Sequence, residues 1–385
     1  MRKEFLPYNL PDLGPEEEDA VIQTLRNHWI SRGPLTEQFE AALASELGVP
    51  QVLALASCTA GMHLALLAQG IGPGDEVITT PMTFAASVNV IIHVGATPVM
   101  VDVEEETGNI DLAQVEQAIT ERTKVILPVH YAGQSVDMEY LNRLRDRYHL
   151  VIVEDAAHAI ASRYQGQRIG SFGNITSFSF YATKNLTTGE GGAVVVPDPD
   201  LAEKIRVLSL HGMSRHAWKR YSEKGSWAYS IEDAGFKYNM TDLEAALGLA
   251  QLNKLDRMQA RRRQIAEEYA QALGDLPVIL PTEREYREHA WHLYPLRIKS
   301  EFLTISRDDF IEAMKAQNIG TSVHFIPIHL HPYYQQRYGL RRGQFPKAEK
   351  FFEQEVSLPL YPSMTDEDIH DVVHAIREIV LSHLA

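Results

Sequence analysis

Short runs rich in β-branched and apolar residues punctuate the first half of the chain: QVLALA from Gln51, EVITT from Glu76, TPVMVDV from Thr97, TKVILPVH from Thr123, LVIVED from Leu150, ITSFSF from Ile175 and GGAVVV from Gly191. Between them, residues 60–70, 84–94, 111–121 and 137–149 carry apolar side chains at helical spacing, and glycine or proline marks their ends, as in IGPGDE from Ile71. Strands that alternate with helices imply a mainly parallel sheet, because parallel neighbours need a crossover long enough to hold a helix. The expected fold is α/β: a mainly parallel seven-stranded sheet with helices on both faces.

A chain of 385 residues exceeds one comfortable core, so a large domain over residues 1–250 and a smaller C-terminal α/β domain over 251–385 are expected. The stretch TDLEAALGLAQLNKLDRMQARRRQIAEEYAQAL, from Thr241, reads as one long connecting helix, opened by a capping box of Thr241 and Glu244. Beyond Pro277, a strand in WHLYPLRIK and helices starting near Ser306, Pro346 and Thr365 fit the smaller domain.

Charge narrows the partners. With 51 acidic and 36 basic residues the net charge is −15, which opposes an extended footprint on nucleic acid. An anionic ligand must therefore be met locally, by helix N-termini or single cations. No apolar stretch approaches the roughly 18 to 20 residues of a membrane span. The opening MRKEFLPYNLPDLGPEEE lacks the apolar centre of a secretory signal, and the lone Cys58 permits no internal disulfide, so a cytoplasmic location is expected.

Four segments carry chemistry. In SFSFYATKNLTTGEGGAVVV, Lys184 follows an apolar strand and precedes a glycine cluster, where ligands of open α/β sheets bind. A lysine there either is a solvated loop residue or forms a Schiff base with an aldehyde cofactor once its pKa is lowered. In LVIVEDAAHA, Asp155 ends a buried run and either caps the next helix or pairs with the ring nitrogen of pyridoxal phosphate (PLP), and His158 packs on that cofactor or is an ordinary polar residue. In ASCTAGMHLAL, a strand turns through small residues into a helix, leaving the Thr59 hydroxyl and Ala60 amide as phosphate donors. Phe84, in TTPMTFAAS, is a stacking partner for an aromatic ring or a core residue.

Taken together, Lys184 in SFYATKNLTTGEGG, Asp155 and His158 in EDAAHA, the SCTAG turn and Asn239 in GFKYNMTD resemble the DegT-type nucleotide-sugar aminotransferases. These are fold-type I PLP enzymes, aspartate aminotransferase-like in architecture. The branch that aminates C4 of UDP-linked 4-keto sugars, as in 4-amino-4-deoxy-L-arabinose biosynthesis, is the nearest in motif. The similarity extends from WISRGPLTEQFE at 29–40, through PVHYAG at 128–133 and HAWHLY at 289–294, to SLPLYP at 357–362.

The resemblance implies that Lys184 binds the cofactor and moves the proton, that Asp155 holds the ring nitrogen, and that Phe84 and His158 touch the ring. Thr59, Ala60 and Ser179 would hold the phosphate. It also implies a homodimer with shared active sites, in which Asn239 reaches the phosphate bound in the other subunit. The amino group would pass from L-glutamate, released as 2-oxoglutarate, to a nucleotide-linked keto sugar. Arg32, Tyr131 and His329 are the expected substrate contacts. No metal is expected, because Pro327 and Pro332 interrupt the spacing of His324, His329 and His331. Two other readings of the scaffold are a sugar dehydratase, in which a histidine replaces the lysine, and a non-catalytic ligand-sensing regulator.

Overall fold

The computed structural model describes residues 2–213 and 229–385. Its strands, in chain order, are β1 (Val52–Leu55), β2 (Glu76–Thr79), β3 (Thr97–Met100), β4 (Thr123–Ile126), β5 (Val151–Asp155), β6 (Arg163–Tyr164), β7 (Gln167–Arg168), β8 (Ile175–Ser179), β9 (Gly192–Val195), β10 (Val278–Ile279), β11 (Arg287–Glu288), β12 (Tyr294–Ile298) and β13 (Glu355–Leu358). All seven runs expected to form strands do so, and they build one sheet in the order β1-β9-β8-β5-β4-β2-β3. Neighbours from β3 to β8 pair in parallel, whereas β9 runs antiparallel to both β8 and β1.

Adjacent residues of these strands enter different cores. Ala54, Ile78, Ile126, Ile152 and Val195 join one apolar cluster, while Leu53, Val77, Val125, Val153 and Val194 join another. The sheet is therefore covered on both faces, which explains why its strands read as continuous apolar runs instead of alternating ones. A third cluster packs β12 and β13 against Phe310, Val372, Ile376 and Leu6. There the antiparallel sheet β10-β12-β13 pairs Tyr294 with Leu358 and Leu296 with Val356.

One expectation needs correction: the helix from Thr241 is two helices, Asp242–Asn253 and Leu255–Leu273, broken at Lys254 (φ −112°, ψ 8°). Its capping box is present, with Thr241 Oγ1 accepting from the Glu244 amide and Glu244 Oε2 from the Thr241 amide. At the break, Lys254 Nζ donates to Asp12 Oδ1 at 2.9 Å and Glu17 Oε2 at 3.0 Å, tying the bend to the N-terminal segment. Beyond it, Leu255 and Met258 enter the first core and Ile265, Tyr269 and Leu273 the third, so one helix is anchored in both.

Candidate active site

Every element that supplies the expected chemistry ends at the same edge of the sheet, the carboxyl ends of its parallel strands. The helix Cys58–Ala68 starts directly after β1, with Ser57 as its N-cap. Gly61 lets that helix lie close to β8, since a Cβ there would sit 2.3 Å from Ser177 Oγ. Asp155 ends β5 and Ser179 ends β8. Lys184 lies in the turn between β8 and β9, its amide donating to the Tyr181 carbonyl at 2.9 Å.

A cavity of about 500 Å³ opens at this edge, and Thr59, Phe84, Asp155, His158, Ser179 and Lys184 all line it. Asp155 is 5 % exposed; its Oδ2 accepts from Ser87 Oγ at 2.6 Å and its Oδ1 from the Ala157 amide at 3.1 Å. It caps no helix, because a turn and not a helix follows β5. Lys184 is half-buried, and desolvation of its ammonium lowers its pKa to about 8, against the opposing pull of Asp155 and Cys58. The imidazoles of His158 and His292 are pushed well below the usual histidine range, first by burial and then by the Lys184 charge. His324 falls to about 4 for the same two reasons. Near neutral pH the cluster thus holds one titrating amine among uncharged imidazoles.

The remaining expected residues lie outside the cavity. The Ala60 amide is taken by Ser57 Oγ at 3.0 Å, so the N-cap already satisfies that donor. Asn239 bridges to Leu55, the last residue of β1, its Oδ1 accepting from Lys237 and its Nδ2 donating to the Met240 carbonyl. Arg32 is buried against Glu40 at 3.3 Å. Tyr131 is 1 % exposed and donates its hydroxyl to the His324 carbonyl at 2.5 Å, bracing a residue of the cavity wall. His329 is fully buried, with Nε2 2.8 Å from Glu349 Oε1. Each of these groups thus has a hydrogen-bond or ion-pair partner within the subunit, near in sequence for Ala60, Arg32 and Asn239 and distant for Tyr131 and His329. His324, His329 and His331 also point to different partners, Ser357, Glu349 and the Ile326 carbonyl. Among the described residues no three His, Cys, Asp or Glu gather as metal ligands.

The structure adds cavity residues that the motifs did not assign to a cofactor or substrate site: Tyr8, His292, His324 and Phe325. Phe325 lies 6.2 Å, centroid to centroid, from Phe84, which is 66 % exposed and so is not the core residue of the alternative reading. HAWHLY contains His292, and His324 and Phe325 are adjacent in the histidine-rich stretch that follows Thr321, yet nothing in a linear pattern says which histidine turns inward.

Parallel strands that deliver a buried carboxylate and a pKa-lowered lysine to one cavity form the arrangement a PLP-dependent aminotransferase requires. The chain belongs to the DegT/DnrJ/EryC1/StrS aminotransferase family, whose pattern it matches over residues 11–377, and it is a sugar aminotransferase of that family. It is 52 % identical over 381 residues to the spore coat polysaccharide biosynthesis protein SpsC of Bacillus subtilis, covering 98 % of each chain. Among solved structures, the PMP-form of Spr1654 from Streptococcus pneumoniae superposes with a TM-score of 0.92 at 36 % identity, over 98 % of this chain and 99 % of that one. PseC of Helicobacter pylori, an aminotransferase involved in the biosynthesis of pseudoaminic acid, gives 0.90 at 32 %, over 99 % and 100 %. Spr1654 is also solved in a PLP-form, and pyridoxal phosphate is the cofactor of this chain.

Features of the cavity suit that coenzyme. Lys184 offers an amine that is substantially neutral near pH 8, the state needed to bond an aldehyde. The buried Asp155 carboxylate is an acceptor for a protonated ring nitrogen, and His158 Nδ1 is buried without a hydrogen-bond partner. Thr59 and Ser179 place hydroxyls on the cavity wall beside a helix N-terminus, where a phosphate dianion is favoured. No helix among the described residues is long and apolar enough to cross a membrane.

Proposed function

We propose that this protein transfers the amino group of L-glutamate to the keto carbon, C4, of a UDP-linked keto sugar, releasing 2-oxoglutarate. The observation that carries this reading is the presence of Lys184, with its lowered pKa, in one cavity with Asp155. A dehydratase of this scaffold would have histidine at position 184, and the lysine present supports transamination.

When bound, pyridoxal phosphate supplies an electron sink for the pair released at the substrate carbon. The chain's residues do the rest. Asp155 keeps the proton on the ring nitrogen, and Ser87 and the Ala157 amide hold that carboxylate in place. Thr59 and Ser179 anchor the phosphate, and Phe84 and His158 flank the ring. The Lys184 amine takes a proton from the donor's α-carbon in the first half-reaction and delivers one to the sugar carbon in the second, work suited to an amine with a pKa near ambient pH. The catalytic unit is a homodimer in which Asn239 serves the neighbouring subunit's phosphate. The likeness to SpsC and PseC, both tied by name to carbohydrate biosynthesis, supports a surface-glycan sugar as the acceptor.

The test is an assay of the PLP-loaded protein with L-glutamate and a panel of UDP-, dTDP- and GDP-linked keto sugars, with NMR of each product. A 4-amino sugar formed from the UDP-linked substrate is expected. Amination at C3 alone, or of another nucleotide's sugar alone, would refute the substrate assignment. Absence of 2-oxoglutarate formation would refute transamination itself.

A further inference from the structure

His292, 4 % exposed, sits just before β12, with its ring 4.3 Å, centroid to centroid, from His158. Lys184 Nζ lies 3.4 Å from His292 Nε2, and His292 Nδ1 lies 3.0 Å from Asn185 Oδ1. Asn185 Nδ2 is 2.7 Å from the Ala290 carbonyl and 3.3 Å from Gln259 Oε1. A carbonyl can only accept, so Asn185 must present its NH₂ to Ala290 and its oxygen to His292. That oxygen in turn accepts only from a protonated Nδ1. The imidazole is thereby held in the tautomer whose Nε2 lone pair faces the lysine amine. The adjacent residues Lys184 and Asn185 thus meet opposite nitrogens of one ring.

We infer that His292 is a positioning residue for Lys184: it docks the ε-amino group whenever that amine is free, with Asn185 fixing the tautomer that makes docking possible. The inference rests on the reading of Lys184 as the cofactor-bonding lysine. Lysine carries several rotatable bonds, and a freed amine that must act at two carbons needs a defined resting point to limit its wandering. The groups facing Lys184 are Asp155 at the end of β5, Cys58 at the start of its helix, His158 after β5, His292, and His324 across the cavity. Of these, His292 is the one the structure gives in hydrogen-bond contact with Nζ.

The test uses coenzyme-free protein and needs no turnover. With ¹⁵N-labelled histidine, NMR is expected to report His292 protonated on Nδ1 and bare on Nε2; protonation on Nε2 overturns the inference. The midpoint of Lys184 labelling by an amine-reactive reagent against pH is expected to fall by about one unit in His292→Phe, because an acceptor of the ammonium's hydrogen bond is lost. His292→Gln, which offers an amide oxygen, is expected to return part of that shift. If His292→Phe does not fold, Asn185→Leu, which releases the tautomer, must move the midpoint in the same direction. An unmoved midpoint in the folded variant overturns the inference. The underlying reading is checked separately, by the visible absorbance that PLP acquires on binding wild type and does not acquire with Lys184→Ala. If that band forms while the midpoint stays fixed, only the role of His292 fails.

Discussion

Ser87 Oγ donates a 2.6 Å hydrogen bond to Asp155 Oδ2, joining the helix after β2 to the carboxyl end of β5. Thr83 Oγ1 lies 2.7 Å from the same serine, so a buried chain of hydroxyls leads to the carboxylate. Hydrogen bonds to a buried anion are stronger than neutral ones and also fix its direction. Ser87→Ala is expected to lower kcat several-fold, and Asp155→Asn by about 10²-fold or more, since an amide cannot keep a pyridinium protonated. Steady-state kinetics beside unchanged circular dichroism checks both; a wild-type kcat in Ser87→Ala would separate Ser87 from the carboxylate's role.

Burial lowers the pKa of the Lys184 amine from its ordinary 10.5 to about 8. Only the neutral amine attacks an aldehyde, so the rate of PLP attachment is expected to rise about tenfold per pH unit below 8 and to level off above it. Stopped-flow absorbance across pH 6 to 10 measures this, and a rate still climbing about tenfold from pH 9 to pH 10 would contradict it.

Gly192 opens β9 against the start of the helix Cys58–Ala68. A Cβ there would lie 2.3 Å from the Ser57 carbonyl carbon and 2.4 Å from the Cys58 nitrogen, both backbone atoms that cannot swing aside. Gly192→Ala is expected to shift that helix N-terminus and weaken PLP binding about tenfold or more. Fluorescence titration of coenzyme-free protein gives the affinity.

Glu355 is fully buried, and burial lifts its carboxyl to about 8 despite hydrogen bonds from Ser357 and the His324 amide. A carboxyl whose pKa is higher in the folded protein than in the unfolded chain supports folding below the ordinary value near 4.5. That support is lost as pH rises toward 8. Glu355→Gln is therefore expected to raise Tm by roughly 2–4 °C at pH 8 and to leave it nearly unchanged at pH 4.5. A destabilisation at pH 8 would mean that the ionised carboxylate is the native form.

If Asn239 serves the neighbouring subunit's site, Lys184→Ala and Asn239→Ala complement each other. A mixed dimer has one site with both residues intact, so unfolding and refolding the two inactive variants together is expected to recover roughly a quarter of wild-type activity. No recovery despite mixed dimers would confine each site to one chain.

The sheet was legible because its strands are buried on both faces: LVIVED and GGAVVV can be little else when apolar neighbours such as Ile152 and Val153 enter opposite cores. That Lys184, Asp155, Thr59 and Ser179 meet at one cavity was legible for a related reason, since strand ends in such sheets converge on one edge. The break at Lys254 was hidden, because helical periodicity continues across it and its cause lies at Asp12 and Glu17. The partners of Arg32, Tyr131 and His329 were hidden in the same way: Glu40, the His324 carbonyl and Glu349 meet them through contacts no local pattern displays.

The cavity draws Tyr8 from the start of the chain, Asp155 and Lys184 from its middle, and His292, His324 and Phe325 from its last third. A nascent polypeptide leaving the ribosome would have its lysine and carboxylate in hand long before the wall opposite them exists. Coenzyme capture in the mature geometry must wait until synthesis has passed Phe325, which makes vitamin loading a late event in the life of each new molecule.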